Sequence, residues 1–151
     1  MEENLINLFN NISNENILEK PENFNTLYLA YIGDTIFDLF TRDYLIKNFI
    51  KKYKMEEIHK KNSNLVCAKS QARIVETLID NNILSDKEKE FYTHARNVHS
   101  NSKSKNSSIV DYRKATGFEA ILGLLFYTDI KRLMTILENV ENIIKEEETK
   151  I

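Results

Sequence analysis

Apolar positions recur at helical spacing along most of this chain. Leu29, Ala30, Ile32, Ile36, Phe37, Phe40, Tyr44 and Leu45 cover more than a narrow stripe. That pattern predicts a central helix, packed on several sides, from an N-cap at Thr26 to about Lys47. A short helix with Leu5, Ile6, Leu8 and Phe9 on its apolar side is expected before Pro21 breaks the chain. Met55 and Ile58 begin another helical period. Asn64 to Ile79 reads as a helix that buries Leu65, Val66, Ala68, Ala72, Val75, Leu78 and Ile79, with Lys69, Gln71 and Arg73 on its wetter side. Asn81-Asn82 marks a turn. Ser85-x-x-Glu88 is a capping box, which starts a helix through Phe91 and Tyr92 to about Val98. Asn101 to Ser108, rich in Ser, Asn and Lys, reads as a loop. A helix from about Ile109 to Tyr127 follows. Asp129 then caps a last helix that keeps Leu133, Ile136, Leu137, Val140 and Ile144 at helical spacing.

Composition supports the same picture. Three glycines and one proline in 151 residues argue against a turn-rich β fold and for an all-α one. The length predicts a single domain over residues 1–151, large enough to bury a core without staples. The single cysteine, Cys67, cannot form an internal disulfide and reads as a small buried hydrophobe, which suits a reducing cytoplasm. No apolar run reaches the length of a membrane span, and the acidic, Asn-rich N-terminus is unlike a signal peptide.

Net charge is −2, which argues against indiscriminate coating of nucleic acid, but the charge is unevenly placed. Met1 to Thr26 has five acids against one base, and Glu138 to Ile151 five acids against two bases. Arg96 to Lys114 has five bases against one acid. A basic middle between acidic extensions can still meet phosphates locally. Lys51, Lys52, Lys54, Lys60 and Lys61 read as a solvated connector. His59 has no second histidine or cysteine at metal-ligand spacing.

Candidate chemistry lies in two stretches where acids interrupt apolar runs. In Leu29-Ala30-Tyr31-Ile32-Gly33-Asp34-Thr35-Ile36-Phe37-Asp38, the two aspartates stand at i and i+4, on one helix face. Gly33 leaves room for close approach beside Asp34. An acid in an apolar segment is costly unless paired, hydrogen-bonded or on a metal. An ordinary surface acid fits the local pattern equally, and Asp38 has a simple partner in Arg42 at i+4. Tyr112-Arg113-Lys114-Ala115-Thr116-Gly117-Phe118-Glu119-Ala120-Ile121-Leu122-Gly123 repeats the design around Glu119. No Ser/His/Asp set, phosphate-binding glycine loop or Cys/His cluster competes with these carboxylates.

Together the two stretches resemble the signatures of the ribonuclease III catalytic domain, and more closely those of its compact branch, Mini-ribonuclease III. Ala30-Tyr31-Ile32-Gly33-Asp34 is similar to the first signature and Tyr112 to Gly123 to the second. Ala68-Lys69-Ser70-Gln71-Ala72 and Arg96-Asn97 also resemble that branch. The likeness covers roughly Asn25 to Leu137. Full-length ribonuclease III has acids where Ala30 and Thr116 stand here; the compact branch shares both replacements. The double-stranded RNA-binding domain that usually follows has no counterpart.

The resemblance implies an all-α endonuclease domain that cuts double-stranded RNA as a Mg²⁺-dependent homodimer. Asp34 and Glu119 would be catalytic residues and metal ligands. Asp38 and Thr116 would stand one layer out. Lys69, Arg73, Arg96, Lys103, Lys105, Arg113 and Lys114 are the RNA-binding candidates, with the basic loop gripping substrate at the mouth of the cleft. Few charged ligands leave much of the metal shell to water. The implied substrate is precursor 23S ribosomal RNA, with a ribosomal protein already bound to it. The alternative is a non-catalytic duplex-RNA or ribosome-associated module of the same fold.

Overall fold

The computed structural model describes residue 20, residues 25–98 and residues 108–150. The short helix expected before Pro21, most of the Ser/Asn/Lys loop, and with it Lys103 and Lys105, lie outside the described residues. Within them the chain forms six helices and no strand, the all-α class that the spacing predicts. They are α1 (Thr26–Phe49), α2 (Met55–Val66), α3 (Ala68–Asp80), α4 (Asp86–Asn97), α5 (Ile109–Thr128) and α6 (Ile130–Thr149). None is long and apolar enough to cross a membrane.

Helix starts follow capping chemistry. The Asn25 side chain accepts from the Leu27 amide at 3.0 Å, so Asn25 is the N-cap of α1 and not Thr26. Thr26 is instead the first helical residue and is buried. Asparagine stands above threonine as an N-cap, and here it is one residue further out. Ser85 and Glu88 close the expected capping box at the start of α4. The side chains of Ser108 and Asp129 cap α5 and α6.

Two expectations change. Asn64 to Ile79 is not one helix: Cys67 takes an extended conformation (φ −65°, ψ 155°) between α2 and α3. The apolar spacing runs through the break, and no glycine or proline marks it. Cys67 is exposed, contrary to its reading as a buried hydrophobe. The break turns its side chain out, while Ala72, Val75 and Leu78 turn in.

α5, more than α1, is the central helix. Ten of its residues are buried, from Ala115 to Phe126, and it packs on α1, α3, α4 and α6. α1 lies along α5 but keeps an open face, where Tyr28, Tyr31, Leu39, Ile46 and Ile50 are exposed. The apolar positions that predicted α1 are all buried or half-buried, and the exposed apolar side chains are other residues.

Glycines allow the α1–α5 contact. A Cβ on Gly123 would lie 2.0 Å from the Leu29 carbonyl oxygen, and one on Gly33 would lie 1.8 Å from that of Glu119. As one helix advances from 29 to 33, the other retreats from 123 to 119, so the helices run antiparallel with touching backbones. Between them Phe37 and Phe118 pack edge to face, with ring centroids 5.3 Å apart. Polar clamps hold the periphery. Arg132 of α6 donates to both Glu88 oxygens and to the Ile83 carbonyl. Near the end of α6, Glu148 accepts from the Tyr44 hydroxyl and Glu147 from Arg73.

Candidate active site

The α1–α5 contact brings the two signature stretches together. Gly33 sits on the Glu119 backbone, so Asp34 and Glu119 leave the contact as neighbours. Their flanking aromatics, Phe37 and Phe118, are fully buried. The acids are therefore held at the edge of a rigid crossing. Gly117 is also required by contact, because a Cβ there would meet the Tyr92 ring at 2.7 Å. Arg96 lies over the Tyr92 ring, 5.7 Å from its centre.

Electrostatics show how closely the carboxylates are coupled. Burial, and then the charge of Asp34, push the Glu119 carboxyl up to about 8, with a hydrogen bond from the Gln71 side chain opposing them. Asp34 is also raised, first by burial and then by Asp38. Like charges near one another in a partly dry site disfavour double ionisation. This is the pattern expected where a cation belongs.

Asp38 is placed differently. Burial would raise it, but hydrogen bonds from Asn62 and Arg42 outweigh that and hold it below the usual carboxylate range. Asn62 Nδ2 donates to Oδ1 at 2.8 Å, and Arg42 Nε donates to Oδ2 at 2.9 Å. Thr41 in turn donates to Asn62 Oδ1 at 2.6 Å. Both Asp38 oxygens are thus engaged by the scaffold, and its effect on the site is the charge it presents to Asp34. Thr116 is buried, and its hydroxyl donates to the Tyr112 carbonyl of its own helix at 3.0 Å.

Ala30 stands where full-length ribonuclease III has an acid. It packs in a cluster of Leu29, Ala30, Ala95 and Ala120. A carboxylate in that cluster would meet apolar neighbours.

The basic candidates differ in exposure and partners. Lys69 and Arg113 are exposed. Arg73 forms a bidentate pair with Glu147, at 2.7 and 3.1 Å, and Lys114 pairs with Glu76.

Two residues of this region escape the sequence reading. Gln71, expected on the wetter side of its helix, is only 2% exposed, because it shares a helix face with the buried Ile74, Val75 and Leu78. Asn62 is also buried. Both lie on the apolar period of their helices, Gln71 with Ile74, Val75 and Leu78, and Asn62 with Ile58. A polar residue on an apolar period is the signal that marks them.

Comparison with known proteins gives a consistent result. The ribonuclease III domain family matches residues 27–129. A Mini-ribonuclease 3 of Streptococcus pneumoniae is 35% identical over 114 residues, 75% of this chain and 88% of that one. A Mini-ribonuclease 3 of Clostridium tetani is 38% identical over 124 residues, 81% of this chain and 80% of that one. A crystal structure of a Fusobacterium nucleatum protein superposes with a TM-score of 0.69 at 26% identity, covering 83% of this chain and 95% of that one.

Proposed function

This chain belongs to the ribonuclease III family, in its Mini-ribonuclease 3 branch, and from that premise we propose that it is an endoribonuclease that hydrolyses double-stranded RNA with Asp34 and Glu119 as its catalytic carboxylates. The observation that carries the reading is the meeting of both signatures at one backbone contact, with the two carboxylates electrostatically coupled.

The donor set fits Mg²⁺. Among the described residues no group of three or more His, Cys, Asp or Glu converges. Two carboxylates are then the protein's share, and Mg²⁺ commonly takes one or two, with water and substrate phosphate completing its shell. Asp34 and Glu119 would hold the ion, which when bound supplies charge against the leaving oxygen and a water of lowered pKa. Gly33 keeps the two acids at the crossing, and Phe37 and Phe118 fix the backbone that carries them. Asp38, anchored by Asn62 and Arg42, keeps negative charge behind Asp34 and favours cation capture.

Duplex RNA is gripped through phosphate and 2′-hydroxyl contacts that read shape. Lys69, Arg96, Arg113 and the basic loop with Lys103 and Lys105 are the contacts of this reading. Arg73 and Lys114 join them by exchanging Glu147 and Glu76 for phosphate. The protein acts as one catalytic domain in the cytoplasm, and as a homodimer. The exposed stripe Tyr28, Tyr31, Leu39, Ile46 and Ile50 on the helix that bears Asp34 supports a second copy docking there. The substrate is precursor 23S ribosomal RNA carrying a bound ribosomal protein.

The reading is tested with Asp34→Asn. The variant is expected to lose cleavage of duplex RNA while keeping duplex binding and dimerisation. Full activity of Asp34→Asn would overturn the mechanism. Binding without cleavage by the wild-type protein, on duplex RNA and on ribosomal precursor alike, would leave a non-catalytic module.

A further inference from the structure

Five lysines gather where α1 hands over to α2, and the proposed chemistry leaves them unused. Lys51, Lys52 and Lys54 stand in the connector, and Lys60 and Lys61 lie on α2. Lys61 is half-buried and the other four are exposed. Among the described residues none of the five forms an ion pair. By contrast, Lys47 pairs with Asp43, Arg73 with Glu147 and Lys114 with Glu76.

Carboxylates lie within reach in the sequence, yet they are not used. Glu56 and Glu57 stand four residues before Lys60 and Lys61, the favoured spacing for helical ion pairs. Glu57 instead accepts from the Lys54 amide at 2.9 Å, closing the start of α2. Lys61 seats its ammonium over aromatic rings, 4.7 Å from the centre of Tyr53 and 5.3 Å from that of Phe49. Lys52 reaches the same Tyr53 ring, at 5.3 Å. Two ammoniums thus converge on one ring. The ring attracts each of them, but they repel one another, and a bridging anion would remove that cost. The helix dipole explains only part of the cluster. Lys51 and Lys52 suit the C-terminal end of α1, whereas Lys54 stands at the N-cap of α2, where positive charge is unfavourable.

α1 sets the distance between this cluster and the acids. Asp34 and Phe49 belong to that one helix, and the rise between them is about 22 Å. Phosphates held at the cluster therefore lie several base pairs from those at Asp34. We infer that the five lysines form a second phosphate-binding site, which grips the backbone of the duplex away from the bond that is cut. This rests on the reading that the protein acts on double-stranded RNA.

The test is duplex RNA binding in chelator over a range of salt, by wild type and by the triple variant Lys51→Gln/Lys52→Gln/Lys60→Gln. Lys61 is kept for its ring contacts, and cooperative melting is checked for both proteins. The plot of log affinity against log salt is expected to be shallower in the variant by about two to three, roughly one for each lysine that meets a phosphate. In parallel, lysine acetylation of the wild type is read by mass spectrometry with and without the duplex. RNA is expected to protect Lys51, Lys52 and Lys60, while the exposed Lys131 of α6 stays reactive. A slope within about 0.5 of wild type, or equal acetylation with and without RNA, would overturn the inference. Lysines of the cluster that are shielded before RNA is added would assign it to contact between copies, and would overturn it too. A wild type that binds no duplex RNA refutes the double-stranded RNA reading and this inference with it. Wild-type binding with an unchanged slope in the variant refutes only the cluster.

Discussion

Glu119 carries the strongest perturbation in the molecule's candidate site, and its sign is unusual for a carboxylate. Burial and the neighbouring Asp34 raise it to about 8 in the folded protein, well above its ordinary value. The folded state therefore binds the proton more tightly than the unfolded chain. Stability gained from this group appears as pH falls through about 8 and is complete near the ordinary value of 4.5. Above pH 8 the ionised carboxylate is a burden that an amide would not impose. In chelator, Glu119→Gln is expected to be the more stable protein at pH 9, by on the order of 1–3 kcal/mol. The gap should close as pH falls toward 4.5, as read by urea unfolding at a series of pH values. A gap that widens on acidification would contradict the site's electrostatics. Asp34 and Glu119 stand out in the sequence through the paired signatures around them, since on local pattern alone either could be an ordinary acid. Gln71 and Asn62 do not, because a neutral amide among polar and charged neighbours looks like surface until helix phase is taken seriously.

Helix phase was lost at one residue. The apolar period runs unbroken from α2 into α3, so nothing in the pattern announces the extended Cys67. Existence and order of the long helices followed from spacing and capping, and the Ser85–Glu88 box is observed as read. What spacing could not show is how closely α1 and α5 approach. That contact depends on Gly33 and Gly123 meeting carbonyl oxygens of the opposite helix. A methyl group at 1.8 or 2.0 Å from backbone cannot be absorbed by side-chain movement. Gly33→Ala or Gly123→Ala is expected to cost about 3 kcal/mol or more, measured by denaturant unfolding. A loss within about 0.5 kcal/mol would mean that the helices are not in backbone contact. The α4–α6 clamp gives a second check. Arg132 satisfies both oxygens of the largely buried Glu88. Arg132→Ala strands that carboxylate and the Ile83 carbonyl, and is expected to cost about 2–4 kcal/mol. That loss should shrink at a pH low enough to protonate Glu88, whose carboxyl is held below its ordinary value: burial opposes this, but the Arg132 hydrogen bonds prevail.

At the scale of the whole molecule, α1 carries exposed apolar residues besides the buried and half-buried ones that predicted it. Tyr31 is 82% exposed and Tyr28 69%, on the same helix as Asp34. A homodimer through that face predicts that Tyr31→Glu shifts the protein to monomer in analytical ultracentrifugation with little loss of helicity. An unchanged sedimentation coefficient would move the interface elsewhere. The basic residues were legible as a charge trend, whereas their partners were not: Glu147 of α6, which pairs with Arg73, lies more than seventy positions away in sequence. The account stands most directly on whether the Asp34–Glu119 pair cuts RNA. The deciding measurement is cleavage of duplex RNA labelled at both 5′ ends, by wild type and Glu119→Gln, with Mg²⁺ and with chelator. Discrete cuts in both strands, present only with Mg²⁺ and lost in folded Glu119→Gln, are the expected result. Equal cutting by Glu119→Gln, or cutting that persists in chelator, would contradict it.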